Sequence, residues 1–230
     1  MARTEKAVVD ALLDRHGQTY AEEAGIRLAD RPGPLYQLLV LATLLSARIS
    51  ADIAVAAARE LFAAGYRTPK AMREAGWQDR VDALGRGHYR RYDERTATML
   101  GDGAGLLADR WHGDLRRLRE EAGGDPKRLA ELLAEFPGIG PAGADIFLRE
   151  VQAVWPQVAP YFDKRALDGA AKVGLPRRPA DLGRLAGRSG GRAADPARLS
   201  AALIRVARGT KAAAEVKAAA SSGKPPHNHK

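Results

Sequence analysis

The fold is decided by residues 129–148, which read LAELLAEFPGIGPAGADIFL. The first half repeats apolar residues at helical spacing, namely Leu129, Leu132, Leu133 and Phe136. Pro137 ends that helix, and Gly138 and Gly140 permit a tight turn with positive φ. Pro141 suits the first turn of a second helix, whose apolar side continues through Ile146, Phe147, Val151 and Val154. The stretch therefore predicts two helices joined by a hairpin.

Such a hairpin can bind a polyanion without any special side chain. Its bare amides and the N-terminus of the second helix can approach a phosphate, and they contact the backbone of DNA without reading its bases. Residues 127–155 are therefore predicted to bind double-stranded DNA. The predicted contacts in the hairpin are Pro137, Gly138, Ile139, Gly140, Pro141 and Ala142. The alternative is an ordinary corner between two helices, with glycines that serve only packing.

Composition agrees with an anionic partner. The chain of 230 residues carries a net charge of +9 and has a pI near 10.0, which favours binding to DNA, RNA or an acidic membrane face. Its hydrophobic fraction of 45% is enough for a core, and its aromatic fraction of 6% favours helices over a sheet. The length fits one large domain or two small ones.

The chain contains no cysteine. This excludes disulfides, thiol nucleophiles, cysteinyl zinc sites and cysteine-ligated iron–sulfur clusters. The most apolar stretch, Leu35 to Ala47, is shorter than the about 20 residues that cross a bilayer, and residues 1–6 show no secretory signal. We therefore expect a cytoplasmic protein without a membrane partner, nucleoid-associated if the source is bacterial, and a monomer.

Helices separated by Gly and Pro are predicted along the rest of the chain, and strand-like alternation is absent from the sequence. The predicted helices cover 5–16, 35–46, 50–62, 91–111, 125–135, 164–173 and two segments within 178–210, the second of which begins at Asp195. A further helix is predicted to begin at Thr68. Gly85 and Gly87 predict a loop. The segment 211–230 is predicted to be a flexible tail, and its His227 and His229 are expected to be solvated and not metal-bound.

The residues 136–144 resemble the hairpin signature of the endonuclease III superfamily of DNA glycosylases, Leu-Pro-Gly-Val-Gly-x-Lys-x-Ala. Two further motifs match in the same order: Leu44 to Arg48 resembles that family's Leu-Leu-Ser-Ala-Gln, and Pro160 to Leu167 resembles its aspartate-bearing loop beyond the hairpin. The segment 87–89 and the basic helix after it match loosely. The resemblance spans about residues 30–175.

Three departures from that family change the expected chemistry. Ala142 stands where the family has the lysine that forms a Schiff base, so lyase chemistry is not expected. The cysteines of the family's iron–sulfur cluster are absent, so no cofactor is expected, although the resemblance implies a possible monovalent cation on the hairpin carbonyls. Arg48 replaces a glutamine that helps to fill the gap left by an extruded base. Arg48 could fill that gap and donate to the orphan base, or be a solvated surface arginine.

Asp163 is the predicted catalytic residue. It precedes a predicted helix, whose dipole favours a carboxylate at its N-terminus. A fixed carboxylate near the sugar can stabilise the positive charge that develops when an N-glycosidic bond is hydrolysed, or orient the attacking water. The alternative is a purely structural N-cap. Lys164 and Arg165 are predicted to contact DNA.

These observations predict an all-α fold of two helical subdomains with a cleft. The first is a six-helix barrel over 33–155 that contains the helix-hairpin-helix, and the second joins 1–32 to 156–210. The resemblance implies a monofunctional DNA glycosylase of base-excision repair that removes a damaged or mismatched base. The alternative is a non-catalytic DNA-binding protein on the same scaffold, and a bifunctional glycosylase/lyase ranks third.

Overall fold

The structure, a computed structural model, describes residues 2–188 and 195–222. Every regular element in these ranges is an α-helix and none is a strand, which confirms the predicted all-α class. The helices are α1 (Ala2–His16), α2 (Tyr20–Glu23), α3 (Pro32–Ser46), α4 (Ala51–Ala63), α5 (Pro69–Glu74), α6 (Trp77–Arg86), α7 (Asp93–Trp111), α8 (Leu115–Glu121), α9 (Pro126–Leu133), α10 (Pro141–Val151), α11 (Lys164–Lys172), α12 (Pro179–Arg188), α13 (Pro196–Arg208) and α14 (Thr210–Ser222).

These residues form two compact units. The hairpin unit is Tyr20–Val158, and the terminal unit joins Met1–Thr19 to Ala159–Lys230. Residues 20–32 therefore belong with the hairpin unit, and not with residues 156–210 as predicted from the sequence. The reason is a contact far apart in sequence: the buried carboxylate of Glu150 accepts hydrogen bonds from the amides of Tyr20 and Ala21, at 3.2 and 3.0 Å. The predicted barrel arrangement stays a prediction.

Helix α3 lies at the centre of the hairpin unit. Its residues 38–44 are all buried, as expected for a helix that is apolar on every side. It packs against α4, α7, α8 and α10. This confirms the predicted central helix, and it means that the residues at the end of α3 are held in place by helices on several sides.

Helix starts were predicted correctly where a capping side chain marks them. Ser50, Thr68, Asp125 and Asp195 each accept a hydrogen bond from an amide in the first turn of the following helix. Gly85, in contrast, was predicted to lie in a loop and lies inside α6. The helix ends at Gly87, where an added Cβ would collide with the backbone of Ala57.

The predicted tail needs correction. Residues 210–222 form α14, which packs against α1 and α13, with Val216 fully buried and Ala213 nearly so. The predicted histidine pair, His227 and His229, lies outside the described residues. None of the described helices is long and apolar enough to cross a membrane.

A buried arginine fixes α7, which carries part of the candidate site. The Arg80 guanidinium donates to the carbonyl oxygens of Met72, Ala75 and Ala97, at 2.9, 2.8 and 2.9 Å. These carbonyls belong to α5, to the residue after it and to α7. The hydrogen bonds offset the cost of burying the charge and fasten three helices together.

Candidate nucleic-acid interface

The turn between α9 and α10 has the backbone that its sequence predicts. Gly138 has a φ of +86°, the left-handed region that favours glycine. A Cβ added there would also lie 2.9 Å from Sδ of Met99 and 3.2 Å from Cγ2 of Thr43. The Ile139 amide donates to the Phe136 carbonyl at 3.0 Å, which closes the turn. Gly138 is thus required both by the turn and by the helices behind it.

Buried side chains hold this turn against the hairpin unit. The Phe136 ring stacks on Trp111 with centroids 5.5 Å apart, and Ile139 is 2% exposed. At Gly143 a Cβ would collide with the Ser46 hydroxyl, so α10 approaches the end of α3 closely. Above these buried side chains, the exposed residues of the turn are Gly138, Gly140, Pro141 and Ala142, while Pro137 is half-buried.

The exposed side of the turn presents a helix N-terminus. Gly140 is the N-cap of α10, and no side chain caps this end. The first amides of an α-helix have no partner inside the helix, and the helix dipole makes this end positive. The amides of Ala142 and Gly143 therefore belong to a turn that can accept an oxyanion, as the sequence predicts.

Two exposed arginines, Arg48 and Arg95, line one pocket with Gly138 of the turn. Two more, Arg90 and Arg91, are exposed in the segment that precedes α7. Within the described ranges none of them forms an ion pair. Arg91 lies over the Tyr92 ring, 5.3 Å from its centroid. Arginines without carboxylate partners leave their charge available to an anionic ligand.

Arg48 and the hairpin line one pocket. From the sequence, the two are connected only through the resemblance to the endonuclease III superfamily. The volume of the pocket is about 270 Å³, and Arg48 and Gly138 both contribute to its wall. Sequence reasoning missed the other charged residue of the wall, Arg95, and the aromatic residue Tyr92. Tyr89, which belongs to the loosely matching segment 87–89, also lines this pocket.

Asp163 is the N-cap of α11, as predicted. Its Oδ1 accepts the Ala166 amide hydrogen at 3.0 Å, and the side chain is half-buried. Lys164 and Arg165 are exposed in the first turn. The Lys164 ammonium donates to Asp168 at 2.9 Å and holds the pKa of that carboxyl below its usual range. All of these residues belong to the terminal unit.

Metal binding finds no support in the described part of the chain. No group of three or more His, Cys, Asp or Glu residues is placed there to hold a metal ion. The hairpin carbonyls remain the predicted place for a monovalent cation.

Together, α9, the glycine turn and α10 form a helix-hairpin-helix element in an all-α protein. Among solved structures, the chain is similar to a trapped endonuclease III–DNA covalent intermediate, an estranged-adenine complex. The identity is 16%, the match covers 80% of this chain and 81% of that chain, and the TM-score is 0.45. No protein-family model matches the chain, and no curated protein matches it.

Proposed function

We propose that the protein binds double-stranded DNA through the turn at residues 137–142. The observation that carries this proposal is an uncapped helix N-terminus, exposed at Gly140 and Ala142 on a base of buried side chains. Exposed arginines without ion pairs among the described residues supply further positive charge. A phosphate group of the DNA backbone satisfies both features.

The reaction that we propose is hydrolysis of the N-glycosidic bond of a damaged or mismatched base. A water oxygen forms a bond to C1′ of the deoxyribose, the C1′–N bond breaks, and its electron pair leaves with the base, which takes up a proton. Asp163 would stabilise the cationic sugar or orient the water. Ala142 has no amine to form a Schiff base, so the strand would stay intact.

The test is a panel of duplex oligonucleotides that each contain one lesion. Incubation followed by alkali reveals abasic sites as strand breaks, and omission of alkali should leave the strands whole. Asp163→Asn should keep the helix cap and DNA affinity, because asparagine also caps helices well. It should lower the excision rate about a hundredfold, since a fixed charge at a preorganised site contributes about 3 kcal/mol to the barrier.

Asp195→Asn is the matched control. Asp195 caps α13 in the same unit and accepts the Ala197 amide hydrogen at 2.8 Å, and no chemistry is assigned to it. This variant should excise at the wild-type rate. Equal rates in Asp163→Asn and the wild type would leave Asp163 only the capping role.

A second candidate function is DNA binding without catalysis. The observation that favours it is the hydrogen bond from the Ala166 amide to Asp163, because this cap gives the carboxylate a structural role without any chemistry. Tight DNA binding without excision of any lesion would support this second function over the first.

A further inference from the structure

A cluster of charged and aromatic side chains joins three segments of the hairpin unit. Its members come from the end of α7, the end of α8 and the two residues before Pro137, and they are Arg110, Trp111, Glu121, Glu135 and Phe136. The charged members of this cluster have no part in the interface or the reaction described so far. Their contacts nevertheless end at the point in the chain where the hairpin turn begins.

The Arg110 guanidinium donates to both carboxylates of the cluster. Its Nη2 lies 2.6 Å from Oε1 of Glu121, and its Nη1 donates to Oε2 of Glu135. The guanidinium also lies over the Trp111 ring, 4.4 Å from its centroid. The planar fork of arginine suits such simultaneous contacts, and a cation over an aromatic ring is attracted to it. One side chain of α7 therefore connects α8 to the segment that leads into the hairpin.

Trp111 connects the charged part of the cluster to its apolar part. Its indole Nε1 donates to Glu121 at 2.7 Å, and its ring stacks on Phe136. The indole N–H and the Arg110 guanidinium hold the pKa of Glu121 below its usual range, so this carboxylate is charged at neutral pH. Glu135 and Phe136, which are adjacent in sequence, are thus both fastened to the end of α7, one by an ion pair and the other by ring stacking.

The ion pair between Arg110 and Glu135 is placed to act on the turn more than on overall stability. The two side chains are 35% and 41% exposed, and an exposed ion pair contributes little to the stability of a fold. Glu135, however, lies three residues before Gly138, whose φ of +86° shapes the turn. Amides that are held in place before a phosphate arrives lose less conformational freedom when it binds. Restraint at Glu135 therefore favours phosphate binding at the turn.

We propose that Arg110 is a positioning residue that holds the hairpin turn in its DNA-binding conformation through Glu135. The proposal rests on the proposed DNA binding at residues 137–142 and adds a residue that acts on the turn from α7. It also assigns Glu135 a role opposite to that expected from its charge. A carboxylate near a phosphate site repels DNA, so its removal alone would strengthen binding. If Glu135 restrains the turn, its removal weakens binding instead.

The test measures the affinity of Glu135→Gln for duplex DNA by fluorescence anisotropy. The substitution removes a negative charge and the ion pair but keeps the size of the side chain. The Kd should rise about threefold, which is the scale of one lost exposed ion pair. Arg110→Gln should raise the Kd by at least the same factor. The double variant should bind like Arg110→Gln, because both substitutions remove the same contact.

Glu131→Gln is the matched control. Glu131 is an exposed residue of α9 that lies four residues before Glu135 and pairs with Arg128 at 2.9 Å. This variant loses the same charge and an ion pair of the same type, but the pair lies outside the cluster. It should therefore bind duplex DNA at least as tightly as the wild-type protein.

Amide hydrogen exchange in the protein without DNA distinguishes a released turn from a destabilised fold. The Ile139 amide, which closes the turn on the Phe136 carbonyl at 3.0 Å, should exchange about threefold faster in Glu135→Gln and in Arg110→Gln. The amides of α3 should exchange at their wild-type rates in both variants. Equally faster exchange in α3 and in the turn would show a general loss of stability and overturn the positioning role.

The outcomes separate this proposal from the proposed function. Unchanged or tighter DNA binding by Glu135→Gln would overturn the positioning role and leave DNA binding by the hairpin intact. A double variant that binds like the wild-type protein would show that net charge alone sets the affinity, and it would also reject the positioning role. Absence of binding to duplex DNA by the wild-type protein would overturn both proposals.

Discussion

At the scale of single residues, Gly138 and Gly140 belong to one turn but differ in how strictly each position requires glycine. Gly138 has a left-handed φ of +86°, and a Cβ added there would lie 2.9 Å from Sδ of Met99. Gly140 has a φ of −92°, and no atom lies within 4 Å of a Cβ added there. We expect Gly138→Ala to lower the free energy of unfolding by about 1–2 kcal/mol. Gly140→Ala should not lower it, and equal losses in urea denaturation would contradict the geometry.

The side chain at position 142 decides whether the protein can form a covalent intermediate. Ala142 has no amine. Lys164, the residue after Asp163, has one, and it donates a hydrogen bond to Asp168 at 2.9 Å. Borohydride added during a reaction with lesion-bearing DNA should therefore trap no adduct. A trapped adduct that disappears in Lys164→Gln would identify Lys164 as the amine and reject the monofunctional mechanism.

We expect His16 to make the stability of the protein depend on pH. Burial lowers the pKa of His16 below its ordinary value of 6.5, with help from Arg205 and Arg15, while Glu215 opposes them. Its Nε2 is buried and has no hydrogen-bond partner among the described residues. Below about pH 6.5 the imidazole binds a proton in the unfolded chain but not in the folded protein. The contribution of neutral His16 to stability is therefore fully present above this pH and is lost as the pH decreases.

The corresponding measurement is the melting temperature between about pH 8 and about pH 5. The melting temperature of the wild-type protein should fall on acidification. That of His16→Leu should fall less, because leucine cannot take up a proton when the chain unfolds. The same acid dependence in both proteins would show that another group controls it.

At the scale of elements, α14 tests the correction to the predicted tail. Val216 is fully buried, whereas Ala214 on the same helix is exposed. Val216→Glu should lower the free energy of unfolding by about 3 kcal/mol, because it buries an unpaired charge. Ala214→Glu should change it by less than about 0.5 kcal/mol. If both substitutions were harmless, α14 would contribute nothing to the fold.

The elements that the sequence predicted well carry their own local signals. Asp125 and Asp195 are each followed by proline, and their carboxylates cap α9 and α13 as expected. Helix α8 was missed because it offers only Leu115 and Leu118 as an apolar face, too short a repeat to recognise. Helix α14 was missed because its burial depends on α1, at the other end of the chain.

The candidate site also has one part that the sequence predicts and one part that it does not. The hairpin and the cap at Asp163 follow from residues adjacent in sequence, and both were predicted. The pocket beside Gly138 joins α3, the start of α7 and the hairpin, so its wall exists only after these helices pack. Arg95 and Tyr92 could not be assigned to it from one sequence, because no local pattern records which distant segments will meet.

At the scale of the whole molecule, the net charge of +9 predicts how DNA affinity responds to salt. Each phosphate contact adds about −0.9 to the slope of log affinity against log salt concentration. We expect a slope of several units for duplex DNA. Because the charge is spread over the chain, the slope alone does not identify the hairpin, and a local substitution is needed.

The most direct test of the central claim is therefore the duplex affinity of Ala142→Glu, measured over a series of salt concentrations. This substitution places a negative charge on the exposed first turn of α10, where the phosphate is expected. Affinity should fall at least about tenfold and the salt slope should decrease by about one unit. Ala214→Glu makes the same change of charge on α14 and should bind within about twofold of the wild type. Equal affinities in Ala142→Glu, Ala214→Glu and the wild type would contradict DNA binding through the hairpin.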